Sequence, residues 1–388
     1  MLKNLTVLMI FLAIACTNID PNLDPNPDYS TKGQFGNYIT DTLYAVSDSV
    51  IRNGFAVTGF TDKLSIGSLG GLKAGFLINF LDLPFDTVNV DSAFINLVTV
   101  NSFGNGAGDK INANVYTVLE KWDSYSDTTE TWRNPPLNQK LSEQAIFTLT
   151  DSALNRYRLP MDLFNKWRTE NDSLNTGLFF ELAESENNIV CELGALSSGN
   201  IPFLTYHTHT DTSALIDTIL TTRDVTIFNY DETNGTALKP AENEILVSSG
   251  VVTNSLLKFD LTTIPGSAIF YSADLVLTVS ENNSFENPEN NSSFYLRPIE
   301  DLATNTYNPD RSLTLTKDGN LVQVSGTYKT IFAEDVIQEI KNNVYKHDWF
   351  QFQFLNTQEE LSVMSFYNTK AEKSLAPKLI VKYLNNNN

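Results

Sequence analysis

The stretch Phe76–Pro84 reads FLINFLDLP, and the stretch at residues 256–261 reads LLKFDL. Each is followed by the pair Ser-Ala and then by an apolar run, at Ser92-Ala93 with INLVTV (95–100) and at Ser272-Ala273 with LVLTV (275–279). Such short runs, rich in β-branched and aromatic residues and separated by Asn, Gly, Asp and Ser, predict the strands of an all-β fold. Proline cannot donate to a β ladder, so Pro84 and Pro265 are expected to end their strands.

Further segments match in the same order, at an offset of roughly 172 to 180 residues. They are Asp162–Trp167 with Asp335–Ile340, the alternating Leu178, Phe180 and Leu182 with Phe350, Phe352 and Phe354, and Pro202–Tyr206 with Pro377–Tyr383. We therefore predict two tandem jelly-roll-like β-sandwich domains, at residues 35–208 and 215–384, joined near Thr210–Ile219. The first pair of segments predicts one short capping helix in each domain.

The composition limits the kinds of partner. The 388 residues suggest two or three domains, and 26 Lys and Arg against 46 Asp and Glu give a net charge of −20. A surface this acidic repels phosphate backbones, so nucleic acid is not expected as a partner. The hydrophobic content of 41% excludes wholesale disorder and a protein with many membrane spans.

The first sixteen residues predict a targeting signal. Lys3 is followed by an apolar stretch at Leu5–Ile14, and Ala15 precedes Cys16. Ten apolar residues are too few to span a bilayer as a helix, so the segment predicts a cleaved signal. LAIAC at residues 12–16 resembles a bacterial lipobox. This implies removal of residues 1–15, lipidation of Cys16, and a Pro-rich tether at residues 16–34. The alternative is a plain secretory signal with an incidental cysteine.

The ordered motifs resemble the DNRLRE-type domain, a β-sandwich related to the family 96 carbohydrate-binding modules. The matching segments are Leu256–Leu261, Ser272–Leu277, Trp122 with Thr131–Pro135, and Phe366 with Pro377–Tyr383. The second copy has Tyr307-Asn308-Pro309 instead of the Trp–Asn–Pro stretch, and the arginine–glutamate element of the family name is absent from both copies. The chain also resembles surface lipoproteins of Gram-negative bacteria without an assigned activity. An outer-membrane lipoprotein displayed at the cell surface is therefore expected, with a periplasm-facing position as the alternative.

A ligand site is expected in the polar loop at residues 123–136 of the first copy. Carbohydrate-binding sandwiches offer aromatic rings to sugars, with amides and charged groups beside them for the hydroxyls. The candidates are Trp122, Tyr125, Trp132, Arg133 and Asn134. The alternative is that both tryptophans are core or loop-pinning residues.

Catalysis has little support in the sequence. His207 and His209 have a spacing that can ligate a metal, but a solvated linker pair is the favoured interpretation, and Cys191 is expected to be a small core residue. No cofactor and no metal site are predicted, apart from a structural Ca²⁺ that Gly104–Asp109 could hold if this loop is not simply a hairpin tip.

The sequence therefore predicts a non-catalytic surface lipoprotein with a lipid anchor in the membrane. We expect it to bind glycan or to act as an accessory subunit of a polysaccharide-handling system. The alternative is a structural or adhesion subunit that contacts other cell-envelope proteins.

Overall fold

The structure is a computed structural model that describes most of the chain between residues 38 and 385. The described ranges are 38–56, 58–59, 61–104, 110–122, 135–169, 175–183, 188–210, 213–285, 293–307, 312–317, 327–332, 334–342, 348–357 and 361–385. Within these ranges the fold is all-β, as predicted, with antiparallel strands in two sheets and two short helices. Neither helix is long and apolar enough to cross a membrane.

The 12-stranded sheet and its helix are called unit 1. Its elements are β2 (Lys63–Leu69), β3 (Leu72–Asn79), β4 (Val90–Gly104), β5 (Lys110–Val118), β6 (Leu137–Lys140), β7 (Ala145–Thr148), β8 (Leu154–Leu159), α1 (Met161–Thr169), β9 (Leu178–Leu182), β10 (Ile189–Gly194), β11 (Phe203–Thr210), β12 (Ser213–Leu220) and β13 (Arg223–Tyr230). The main strand order is β12-β11-β4-β10-β2-β3-β9-β5-β6, with β13 paired to β3, β7 to β5 and β8 to β4.

The 11-stranded sheet and its helix are called unit 2. Its elements are β1 (Ile39–Phe55), β14 (Glu244–Ser248), β15 (Val251–Phe259), β16 (Ala268–Phe285), β17 (Phe294–Asp301), β18 (Thr306–Tyr307), β19 (Leu313–Lys317), β20 (Thr327–Phe332), α2 (Glu334–Lys341), β21 (Trp349–Phe354), β22 (Val363–Tyr367) and β23 (Lys378–Asn385). The main strand order is β1-β23-β16-β20-β19-β17-β21-β15-β14-β22, with further pairings of β1 to β15 and β16 to β22.

The internal repeat is visible in the strand pairings of the two units. In unit 1, β3 pairs with β9 so that Phe76 faces Phe180. In unit 2, the corresponding β15 pairs with β21 so that Ser255 faces Phe352. The helices follow the same rule, because α1 and α2 lie just before β9 and β21 at the segments that the sequence predicted.

The two repeats exchange their leading strands. β1 precedes unit 1 in the chain, yet Ile39–Tyr44 pairs with β23 and residues 45–55 pair with β15, both in unit 2. Conversely, β12 pairs along all of β11, and β13 pairs along all of β3, both in unit 1. The predicted boundaries therefore differ from the strand pairing. Range 35–208 includes a strand of unit 2, and the expected linker Thr210–Ile219 contributes to the β11–β12 hairpin of unit 1.

Each unit has its own apolar core, and a third cluster joins the two. The unit 1 core includes Phe76 and Phe180, and the unit 2 core includes Phe294 and Phe352. The joining cluster consists of side chains from both units, including Leu72, Phe103, Val190, Phe228, Leu246, Val251 and Val363. The two units therefore share a buried apolar cluster as well as exchanged strands. Both features should stabilise the units against separation.

A basic residue at the end of each helix fixes the loop that follows the central strand of its unit. The buried Arg168 donates to the carbonyl oxygens of Pro84, Phe85 and Val88 at 3.1, 2.6 and 2.6 Å. Lys341 Nζ donates to the carbonyls of Leu261 and Ile264 at 3.1 and 2.7 Å in unit 2. These bonds satisfy loop carbonyls that lie near the end of the sheet.

Candidate functional site

One face of unit 1 points away from the core and carries a mixed apolar and polar surface. It is built by neighbouring residues on β13, β3, β9 and β5, and we call it the front face. One row across it runs Ile227, Gly75, Glu181 and Asn114. The next row runs Val225, Leu77, Phe179 and Tyr116, and the first three of these are buried in a separate apolar cluster. The alternating residues of the same strands, such as Phe76 and Phe180, point into the core.

The front face contains a cavity of about 360 Å³. Its lining combines apolar side chains with charged and amide groups: Phe179, Ile227, Leu137, Pro135, Lys73, Glu181, Asn114, Asn229 and Ser68 among others. Phe179 is buried, whereas Lys73 is exposed and Glu181, Asn114 and Asn229 are half-buried. The arrangement is an apolar floor with polar groups at the rim, which is typical of small-molecule sites.

Gly75 makes room for the floor of this cavity. A Cβ atom on Gly75 would lie 2.7 Å from Cζ of Phe179 and 2.7 Å from the carbonyl oxygen of Phe180. Only glycine therefore allows the Phe179 ring to lie against β3 at this point.

Hydrogen bonds orient the polar rim. Tyr116 is hydrogen-bonded to Glu181, and burial together with this contact raises the pKa of the Tyr116 hydroxyl. The Gln144 side chain donates to Oδ1 of Asn114 at 3.2 Å. A carboxylate and an amide are thereby held next to an apolar surface, a combination suited to ligands with several hydroxyl groups.

Trp122 is not the exposed stacking ring that the sequence analysis expected. Its side chain is buried with 3% exposure and packs in a cluster with Leu77, Phe179 and Val225. The indole N–H donates to the carbonyl of Thr176 at 2.8 Å. The alternative interpretation, a core residue, fits Trp122, because its ring lies in the same buried cluster as Phe179 of the cavity floor.

The other predicted site residues, Tyr125, Trp132, Arg133 and Asn134, lie outside the described residues. The same holds for residues 105–109, which make up most of the expected calcium loop. Among the residues that the structure does describe, no group of three or more His, Cys, Asp and Glu side chains is placed to hold a metal ion.

The remaining candidates, one cysteine and two histidines, lie in surroundings that indicate a structural role. Cys191 is buried in the unit 1 core, and burial raises the pKa of its thiol to about 12, so thiolate chemistry is suppressed at neutral pH. His207 and His209 lie within β11 and not in a linker. His209 Nδ1 is 2.6 Å from Oδ2 of Asp91, and the His207 ring contacts Phe94.

Sequence reasoning missed the contribution of β13 to the site. Ile227 and Asn229 line the cavity, although they follow the expected linker and fall in the predicted second domain. A sequence signal for the leading strands exists, because Asp41-Thr42-Leu43 corresponds to Asp217-Thr218-Ile219. That match places a strand before each repeat, but it contains no information on which unit the strand joins.

The equivalent face of unit 2 is filled by its own side chains. The strand registers place Asn254 where unit 1 has Gly75, Gln351 where it has Phe179, and Gln353 where it has Glu181. Asn254 and Gln351 are each 1% exposed, and Asn254 Nδ2 donates to Oε1 of Gln353 at 3.2 Å.

An arginine takes the place of Tyr116 in unit 2. The Arg297 guanidinium lies 4.2 Å from the ring centre of Tyr295 and 4.3 Å from that of Tyr307. Cation–π contacts and the hydrogen bond from Arg297 Nε to Ser312 Oγ, at 2.7 Å, hold it in place. Among the residues that the structure describes, the repeated framework therefore leaves a cavity on this face of unit 1 and fills the equivalent space in unit 2.

Comparisons with known proteins give no family for this chain. No protein-family model matches it, and no curated protein matches it. A chain from the "Structure of the Macrobrachium rosenbergii Nodavirus" aligns over 93% of both chains with 10% identity and a TM-score of 0.10, a value too low to support an argument about the fold. The resemblance to DNRLRE-type domains stays a prediction.

Proposed function

We propose that this chain is a non-catalytic, surface-displayed lipoprotein that binds glycan through the front face of unit 1. The observation that supports the proposal is the cavity of about 360 Å³, in which an apolar floor at Phe179 and Ile227 is bordered by Lys73, Glu181 and Asn229. Sugars present both C–H surfaces and hydroxyl groups, so this pairing of groups suits them.

The proposed contact surface is the sheet face around Phe179, whereas the sequence favoured the loop at residues 123–136. Trp122 is buried in the same cluster as Phe179 and is not itself offered to a ligand. In unit 2 the side chains of Asn254 and Gln351 occupy the corresponding space. This difference supports the assignment of the glycan site to unit 1. The proposed site includes residues from β13, so it requires the part of the chain that extends to Tyr230.

The test is binding of the full chain to a panel of soluble neutral and acidic polysaccharides, measured by retardation in affinity gels. Glu181→Ala and Asn229→Ala should each weaken binding by about tenfold or more, since each removes a hydrogen-bonding group from the site. Gln353→Ala, at the position of unit 2 that corresponds to Glu181, is the matched control and should leave binding unchanged. Equal retardation of all these variants, or no retardation by any polysaccharide, would refute the assignment.

The proposed membrane attachment rests on Lys3, the apolar stretch Leu5–Ile14 and Cys16. Cys16→Ser should release the protein from the membrane fraction, and mass analysis of the wild-type protein should find an acylated peptide that begins at Cys16. An equally membrane-bound Cys16→Ser variant would contradict the attachment.

A further inference from the structure

Unit 1 has a second exposed surface on the neighbouring strands β8, β4, β11 and β12. Ile95, Tyr157 and Leu204 of these strands point into the unit 1 core, so the residues that alternate with them point outward. We call this outward surface the arginine face. Its central residues are Arg156 and Arg158 on β8, Phe94 on β4, Phe203 and His207 on β11, and Ile216 on β12.

Apolar side chains are exposed on the arginine face. Leu154, Ile216 and Leu220 are 55%, 63% and 52% exposed. The rings of Phe94 and Phe203 are half-buried among them. Exposed apolar side chains that are grouped on one sheet face are typical of an interaction site.

The charges at the centre of the arginine face are positive, although the chain as a whole carries −20. Arg156 and Arg158 are both exposed. Neither guanidinium forms an ion pair with a carboxylate within the part of the chain that the structure describes. Both arginines are therefore available to a ligand.

The four strands contain two acidic residues, Asp91 and Asp217. Asp91 lies at the border of the arginine face, where its Oδ2 is 2.6 Å from His209 Nδ1. Asp217 keeps its charge but lies on the opposite face of β12, where it is hydrogen-bonded to Tyr206. The arginine face therefore matches an acidic ligand in charge.

Contact with an aromatic ring holds one of the two guanidinium groups in place. The Arg156 guanidinium lies 4.3 Å from the ring centre of Phe94, and the His207 ring centre lies 5.6 Å from the same point. A stacked guanidinium keeps N–H groups available for two parallel hydrogen bonds to a carboxylate. Arg158 is two residues farther along the same face of β8, so the Cα atoms of the two arginines are about 6.5–7 Å apart. Two such groups in line suit a ligand in which carboxylates repeat.

The corresponding face of unit 2 differs at its centre. There β16 and β23 take the places of β4 and β11, and the strand registers put Asp274 where unit 1 has Phe94. The same registers put Lys382 at the position of His207. An acidic side chain thus replaces the central ring in unit 2, so the match to an acidic ligand is particular to unit 1.

We propose that the arginine face of unit 1 binds an acidic polysaccharide in which carboxylates repeat along the chain, as in polyuronates. Arg156 and Arg158 bind neighbouring carboxylates. Phe203 and the exposed Leu220 contact the C–H surfaces of the sugars, and the exposed Thr218 hydroxyl binds sugar hydroxyl groups. This site goes beyond the glycan site of the front face, because it lies on different strands and selects its ligand by charge.

The first experiment measures retardation of the full chain carrying Cys16→Ser in gels that contain polygalacturonate or alginate. We expect retardation by at least one of these two polyuronates. Arg156→Gln and Arg158→Gln should each weaken binding by about fivefold, since each removes one exposed ion pair with the ligand. The matched control is Lys382→Gln, which removes one positive charge from the corresponding face of unit 2 and should leave binding unchanged.

Three results of this experiment would overturn the proposal. The first is a wild-type chain that neither polyuronate retards. The second is an equal loss of binding in Lys382→Gln, which would show that only the overall charge of the chain matters. The third is binding by Arg156→Gln and Arg158→Gln that equals the binding of the wild type.

The second experiment separates polyuronate binding from a general attraction to anions. Free galacturonate should compete much more weakly than the polymer at the same carboxylate concentration, because it cannot join the two arginines. Equal competition would contradict the requirement for repeated carboxylates. Vesicles of phosphatidylglycerol should not retain the protein, and retention that is lost in the same arginine variants would identify an anionic membrane as the partner and overturn the choice of polysaccharide.

A third measurement keeps the two glycan sites apart. The double variant Arg156→Gln/Arg158→Gln should bind any neutral polysaccharide that the wild type binds, because the front face is unchanged. A loss of this binding would show that the arginine face is not a separate site. If the front-face variants Glu181→Ala and Asn229→Ala bind every polysaccharide like the wild type, the front-face proposal fails, and the effect of the arginine variants on polyuronate binding still decides this one.

Discussion

The Asp224 carboxylate accepts a hydrogen bond from the backbone N–H of Leu196 at 2.5 Å. Asp224 lies on β13, which follows the first repeat in the chain, and Leu196 lies in the loop after β10. Asp48 on β1 makes the equivalent contact in unit 2, where it accepts from the N–H of Thr369 at 3.0 Å, in the loop after β22. One aspartate thus fixes each exchanged strand to the unit that it completes.

The first prediction concerns pH. Burial raises the pKa of Asp224 to about 6, above its ordinary value of 3.8. Between these two values the folded chain binds more protons than the unfolded chain, so the free energy of unfolding should fall as pH rises from about 4 to about 6. Asp224→Asn keeps an acceptor for Leu196 but cannot ionise, so it should remove this part of the pH dependence. Urea unfolding at several pH values measures the effect.

Asp260→Asn is a control that should change the pH dependence of stability in the opposite direction. Hydrogen bonds from Thr262 lower the pKa of the exposed Asp260 carboxyl, so the wild-type carboxylate stabilises the fold above its unfolded pKa and loses this contribution at lower pH. The same pH profile in wild type and Asp224→Asn would contradict the role given to Asp224.

The second prediction concerns the exchanged strands. A protease site introduced between residues 210 and 213 should be cleaved without separating the two products. β12 and β13 of the second product remain paired with β11 and β3, and β1 of the first remains paired with β15 and β23. Gel filtration of the cleaved protein should show one species in buffer and two in denaturant. Separation in buffer would contradict the exchange.

The third prediction concerns Trp122. Trp122→Ala should lower the free energy of unfolding by about 3–5 kcal/mol, because it empties a buried space next to Phe179 and Val225. Phe85→Ala is the control, since this ring is 80% exposed and its loss should change stability by about 0.5 kcal/mol or less. Denaturant unfolding of the two variants measures these changes in stability. A Trp122→Ala protein as stable as wild type would show that the ring is not part of the core.

The fourth prediction concerns Cys191. Since burial raises the pKa of this thiol to about 12, a thiol reagent at neutral pH should not modify it in the folded Cys16→Ser protein. Denaturant should make it react at the rate of a free cysteine. Rapid labelling of the native protein would show that the core opens at β10.

The sequence by itself determined the all-β fold, the two helices and the order of the repeated segments. These features depend on local patterns, such as the alternation of Phe350, Phe352 and Phe354 or the acidic start and basic end of α1. Such patterns are present whenever a strand or a helix is half-buried, whichever partner buries it. For the same reason Cys191 could be assigned to a core from its surroundings in the chain.

Only the tertiary structure decided which unit each leading strand joins. β1 and β13 would find equivalent neighbours in either repeat, because Asp48 and Asp224 meet equivalent backbone N–H groups. In the structure the chain passes from β1 to β2 beside β13, where Thr58 Oγ1 donates to the Thr226 carbonyl at 2.6 Å, a contact between residues far apart in the sequence. The cavity of unit 1 could not be predicted from the sequence either, because the missing Cβ of Gly75 matters only when Phe179 is packed against it. Strand pairing and cavities arise from contacts between residues that are distant in the sequence. The two repeats have similar local patterns, so these patterns do not show which repeat a strand joins or which repeat has a cavity.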